Sequence, residues 1–149
     1  MYKAEDVAEY ILLRCAENNI LITNIRLNQI LYRIQVSFLK SNKLAFKEPF
    51  EAWAFGPAIA SVYYFYCGSG ASEIFYYTSF DKYRRSKERL NGIFSRKDIQ
   101  IFDTVIMEMV KVNVWDAAVK LTGDDSAWKQ VYKTGKRVII PIELIKREV

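Results

Sequence analysis

The stretch "IRLNQILYRIQVSFLK", residues 25–40, carries apolar side chains on more than one side of a helix, and nothing else in the chain constrains the fold as strongly. Leu27, Ile30, Leu31, Ile34 and Phe38 form one stripe at helical spacing, and Tyr32, Val36 and Leu39 form a second on another flank. Two apolar flanks need two covering layers, so the spacing predicts a central helix. It opens after Thr23 or Asn24, either of which can cap free backbone amides. Arg26, Gln29, Arg33 and Lys40 are assigned to its wet side.

The other elements are read against that helix. Ala4, Val7, Ala8, Ile11, Leu12, Cys15 and Ala16 recur at helical spacing, with Glu5, Asp6 and Glu9 near the N-terminal end of the dipole, which predicts a helix over 4–17. Asn18 and Asn19 suit its exit. In "LAFKEPFEAWAF", residues 44–55, two strand-like pieces flank Lys-Glu-Pro and predict a small hairpin. Gly56 and Pro57 then stop extended structure, with Pro57 in the first turn of a short helix that carries Ile59, Val62, Tyr63 and Tyr66 and ends at "GSG", residues 68–70. "SEIFYYTSF", residues 72–80, is compatible with a strand, and the basic run after it reads as a mobile loop.

Ser95 and Asp98 resemble a capping box opening a helix that buries Ile99, Phe102, Val105, Ile106 and Met109. Beyond Asn113 two short helices are split by Gly123, the second capped by Asp125 or Ser126, and Pro141 marks a last helical turn or two. The fold expected is mainly α with a small β-hairpin element, in one domain spanning residues 1–149.

With no histidine in the chain, His-containing triads, His-ligated zinc and imidazole acid–base chemistry are excluded. No GxxxxGK[ST] or GxGxxG loop is present to cradle phosphate. Cys15 and Cys67 have no metal-knuckle spacing, and they fit a reducing cytoplasm better than a disulfide framework. Asp124 and Asp125 are adjacent acids before a helix, where caps are commoner than metal ligands, and nothing around Glu48 and Glu51 marks them as an acid–base pair. No run approaches the roughly 18 apolar residues a membrane span needs. These readings point to a non-enzymatic protein with no metal and no cofactor.

The ten Tyr, nine Phe and three Trp supply large contact areas, some of them suited to a partner surface. In "FEAWAFGP", residues 50–57, strand alternation sends Phe50, Ala52 and Ala54 to one face and Glu51, Trp53 and Phe55 to the other. Trp53, Phe55, Tyr63, Tyr64, Tyr66 and Trp128 are the candidate partner contacts. Charge is uneven: of the net +5, residues 82–97 hold +6. Lys82, Arg84, Arg85, Lys87 and Arg89 in that segment either form a solvated loop or face phosphates, with Phe75, Tyr76, Tyr77 and Phe80 nearby for base stacking.

Three stretches in fixed order, "LNQILYRIQVSFL" at 27–39, "FEAWAFGPAIASVYYFY" at 50–66 and "VKLTGDDSAWKQVY" at 119–132, resemble the Panacea domain of the SocA-like antitoxin family, also known as phage-associated protein. The motif features fall on Leu31 and Tyr32, on Phe50 to Trp53 with Phe55, Gly56 and Pro57, and on Leu121, Thr122 and Trp128. Departures are Gly123 where the family has histidine, Ala127 where proline is common, and Phe55 where tyrosine is usual. The resemblance implies a helical domain with a small β element that binds and neutralises a toxin protein, and in at least one member delivers that toxin to a protease. Other readings are a nucleic-acid-binding regulator working through residues 82–97, or a phage-encoded inhibitor of a host protein.

Overall fold

A computed structural model describes the whole chain, Met1 to Val149. The central helix, α2 (Asn24–Leu39), follows α1 (Ala4–Glu17) and is capped by Thr23, whose side chain accepts from the Arg26 amide. Thirteen of its sixteen residues are buried, because α1, the strand Gly56–Ala58 and the helix Arg96–Met109 all pack against it. The core continues through Phe38, which stacks on Phe102 at 5.7 Å, and through the edge-on cluster of Tyr2, Tyr10 and Phe94 around Phe102.

Arg26 and Gln29 are not on a wet side: they are 5% and 4% exposed. They reach the turn beneath which they lie, Arg26 donating to the Val112 carbonyl and Gln29 to that of Val114 at 3.1 Å. Other polar side chains of α2 do the same for other irregular segments. Asn28 accepts from the Ile59 amide at 2.9 Å, Asn24 donates to the Tyr63 carbonyl at 2.8 Å, and Gln35 donates to Phe46 O and accepts from Ala45 N, both at 2.8 Å. Buried loop backbone needs partners, and an amide side chain supplies a donor and an acceptor together. We therefore expect Gln35→Leu to cost about 2–4 kcal/mol, since it strands a buried N–H and a buried C=O; chemical denaturation checks this, and a cost below about 1 kcal/mol would mean that water replaces the clamp.

The hairpin sits one step later than the sequence suggests. Strand β1 (Glu51–Trp53) pairs antiparallel with β2 (Gly56–Ala58) across Ala54 and Phe55, in the register Glu51 to Ala58 and Trp53 to Gly56. Residues 44–50 contribute only a single bridge, Phe46 to Tyr2. Pro57 is thus in a strand and not in the first helical turn; an edge strand tolerates it because one side of its backbone needs no ladder partner, and β2 is an edge of its sheet, with β1 as its one neighbour. Gly56 has φ +129, a conformation that L side chains rarely adopt, so the turn requires glycine there.

Helix α3 begins at Ala60 and runs to Phe65, followed by a 3-10 turn, Cys67–Ser69. Residues 72–79 form no strand beyond one bridge, Glu73 to Thr23. The basic run is a helix, α4 (Phe80–Asn91), capped by Ser79, and not a mobile loop. Its inner face buries only Ser86 and Leu90, so apolar periodicity could not announce it. It is held on α1 by charge instead: Arg89 pairs with Asp6 and Glu9, and Lys87 with Glu17 at 2.7 Å. Ser86 adds a 2.9 Å bond to Glu9.

Glu17 fixes the pH response of that contact. Burial alone would raise its carboxyl, but donors from Lys87, Tyr83 and Arg14 together hold it below the ordinary 4.5. Its contribution to stability is complete above the unfolded value and is lost as pH falls through the lower folded value. Acid titration followed by amide exchange is expected to release α4 in that range, and Glu17→Gln to remove this part of the pH dependence; an unchanged acid limb in the variant would assign the transition to other carboxylates.

Helices α5 (Arg96–Met109), α6 (Val114–Leu121) and α7 (Ala127–Val131) are capped by Ser95, Asn113 and Ser126. Strand β3 (Val138–Ile139) adds to the free edge of β1, and α8 (Ile142–Ile145) with a final turn, Lys146–Glu148, closes the chain. The molecule is one helix-dominated domain carrying a three-stranded antiparallel sheet.

Candidate functional site

The three motif stretches, distant in sequence, meet in one place. Tyr32 of α2 packs edge-on against Phe50 with ring centroids 5.0 Å apart. The α-carbon of Gly56 faces Thr122, whose methyl would lie 3.8 Å from a Cβ at that position. Trp128 of α7 donates its indole N–H to the Trp53 carbonyl at 2.6 Å, and its ring stacks on Tyr132 at 4.2 Å. Leu31, Tyr32, Gly56, Pro57 and Leu121 are all buried, and Thr122 is half-buried. Their packing role is to fix the sheet on the central helix.

On the outer side of that sheet lies an aromatic platform. Trp53 is its floor, with Tyr63 at 4.9 Å, Phe55 at 5.7 Å and Tyr64 at 5.8 Å between ring centroids. Phe55 stacks on Tyr63 at 5.5 Å, and the Trp53 indole donates to Glu51 at 2.8 Å. Tyr64 and its neighbour Phe65 stand out, 48% and 66% exposed. Over the platform lies Arg137, its guanidinium carbon 4.3 Å from the Trp53 ring centroid and 5.3 Å from that of Tyr64, with a hydrogen bond to the Tyr64 hydroxyl.

Arg137 forms no ion pair; within the protein its charge meets only the two ring faces and the Tyr64 hydroxyl, and its exposed guanidinium has no carboxylate of its own. Sequence reasoning did not find this residue. It follows Lys133, Gly135 and Lys136 in a polar segment with no periodicity, and only the pairing of β3 with β1 brings it over Trp53.

The six candidate contacts therefore separate. Trp53, Phe55, Tyr63 and Tyr64 come together, whereas Tyr66 is buried beside Tyr76 and Trp128 points inward beneath the sheet. Among the basic candidates, Arg84 and Arg85 pair with Asp81, Arg84 also with Glu88, Lys87 and Arg89 pair with α1, and Lys82 lies over Tyr76 at 4.0 Å. The acids singled out in the sequence have separate duties. Glu48 accepts from the Ala4 amide at the start of α1, Glu51 holds Trp53, and Asp124 and Asp125 sit exposed in the turn before α7.

No three Cys, Asp or Glu side chains converge closely enough to hold a metal ion. The buried Cys15 thiol is pushed up to about 11 by desolvation, which disfavours the nucleophilic thiolate. No helix is long and apolar enough to cross a membrane.

No curated protein and no solved structure gives a significant match to the chain. A family model described as "Antitoxin SocA-like, Panacea domain" matches residues 27–129, from the first stripe residue of α2 to the middle of α7. The match contains the α2 motif, the whole hairpin and Trp128, and leaves out α1, Arg137 and the C-terminal turn. Spanning more than half of the sequence, with the first two of the stretches that converge on the sheet and the third as far as Lys129, it establishes that the chain belongs to the SocA-like antitoxin family with a Panacea domain.

Proposed function

We propose that this protein binds and neutralises a toxin protein by sequestering it against the platform of Trp53, Phe55, Tyr63, Tyr64 and Arg137, in the cytoplasm and without turnover. The family points to a protein partner and to a non-enzymatic role in general terms. The observation that carries the reading is an exposed tyrosine, Tyr64, and an exposed arginine without an ion pair, Arg137, set over the half-buried Tyr63 and Phe55 and the buried Trp53, residue types that dominate binding hot spots. Rigid rings already packed on one another lose little side-chain freedom on binding.

A nucleic-acid role for α4 has less support, because four of its five candidate cations are engaged in ion pairs within the protein. Delivery of the bound toxin to a protease is a further step of the same reading. It predicts a shorter half-life of the toxin when this protein is present.

The test is a tagged pull-down from cells carrying the native gene neighbourhood, with partners identified by mass spectrometry. A stoichiometric protein that survives moderate salt is the expected result. Recovery of nucleic acid alone would overturn the reading, and a host enzyme in place of a neighbour-encoded protein would make the chain an inhibitor of that enzyme.

A further inference from the structure

A second concavity lies away from the aromatic platform, where the end of α5, one side of α6 and the turn before α7 meet α2 and the C-terminal turn. It is a cleft of about 690 Å³. Its apolar lining comes from Met109, Val112, Ala117 and Leu121, and Tyr32 closes one end, with its hydroxyl donating to Glu148. Carboxylates ring it: Glu108, Asp116, Asp124, Asp125 and Glu148, against the cations Arg33, Lys120 and Arg147.

None of those five carboxylates forms an ion pair, whereas Asp6, Glu9, Glu17, Asp81, Glu88, Asp103 and Glu143 all do. A protein of net charge +5 thus keeps a cleft of local net −2 in which neither the acids nor Arg33, Lys120 and Arg147 form an ion pair, and Glu148 alone is held, by the Tyr32 hydroxyl and the Ala127 amide. Gly123 is part of the lining. A Cβ there would meet only the Lys120 and Val119 carbonyls, at 3.6 Å.

We infer that this cleft is a docking site for a protein segment presenting an arginine or lysine, with the aliphatic stem along Met109 and Leu121 and the cationic head among Glu108, Asp116 and Asp125. The lining matches both halves of such a side chain, which buries its methylenes and keeps its charge at a polar rim. The excess of two carboxylates over the cations of the lining favours this occupant over an acidic segment, which would add to the negative charge, and over a purely apolar one, which would leave it uncompensated. The site is separate from the aromatic platform, and the inference does not depend on the identity of a toxin.

The probe is a tetra-arginine peptide, acetylated and amidated, titrated into the full chain and followed through amide chemical shifts. Non-specific attraction is opposed by the protein's own positive charge, so a saturable response is local. Shifts confined to residues around Ala117, Gly123 and Ser126 are expected, weakened about tenfold or more in the combined variant Glu108→Gln, Asp116→Asn, Asp125→Asn. These side chains are exposed and unpaired, so the variant retains its fold; Lys120→Ala is a second check and tightens binding by about twofold. No saturable shift at the cleft, equal affinity in the neutralised variant, or equal binding of a tetra-glutamate peptide would overturn the inference.

Discussion

Trp128→Ala is expected to destabilise the protein by about 3–5 kcal/mol, the cost of truncating a buried tryptophan, and to lower Tm by roughly 10–15 °C. The side chain is only 7% exposed, stacks on Tyr132 and supplies the donor that holds the Trp53 carbonyl, so its removal frees α7 from β1 as well as opening a void. Trp128→Phe separates the two effects. It keeps most of the volume and loses the hydrogen bond, which is worth about 1–2 kcal/mol. Chemical denaturation of both variants checks the assignment. A loss below about 1 kcal/mol for the alanine variant would place α7 outside the cooperative fold, and with it the third motif stretch.

The second large effect is on binding and leaves stability alone. Tyr64→Ala combined with Arg137→Ala is expected to weaken the complex with the proposed toxin partner about a hundredfold or more, as loss of an aromatic and an arginine anchor does at a hot spot. Both side chains are exposed, so the unfolding midpoint moves little, within about 0.5 kcal/mol. The two residues touch through the Tyr64 hydroxyl and the ring face, so the double variant loses less than the sum of the single ones. Calorimetric titration of the partner gives all three values. Strict additivity would mean that Arg137 and Tyr64 act at separate points, and no loss at all would move the interface elsewhere.

Most of the frame was legible because helices advertise themselves through spacing and caps. The stripes of α1 and α2, Ser95 before α5, and Ser126 before α7 each gave an element close to where it lies. Where burial is polar, the same reasoning misled. Arg26 and Gln29 read as solvent-facing because their types usually are, yet they lie under the Val112–Val114 turn and serve its carbonyls. Helix α4 read as a loop because it docks through Lys87 and Arg89 and not through an apolar stripe.

Pro57 had two physical readings, a first helical turn or an edge strand, and only the pairing of Ala52 with Pro57 decides between them. The site divides along the same line. Trp53, Phe55, Tyr63 and Tyr64 are close in sequence and were grouped from it, whereas Arg137 arrives through a two-residue strand that leaves no pattern of its own. The cleft acids come from α5, α6, the turn before α7 and the C-terminus, and only tertiary packing brings them together.

The most direct measurement is growth rescue: the neighbour-encoded protein expressed alone, with this chain, and with its Tyr64→Ala, Arg137→Ala form at matched abundance. Sequestration through the platform predicts toxicity alone, full growth with the natural chain, and little or no rescue by the variant. Equal rescue by the two forms would contradict the assignment of the face, and absence of rescue by the natural chain would contradict neutralisation of that partner.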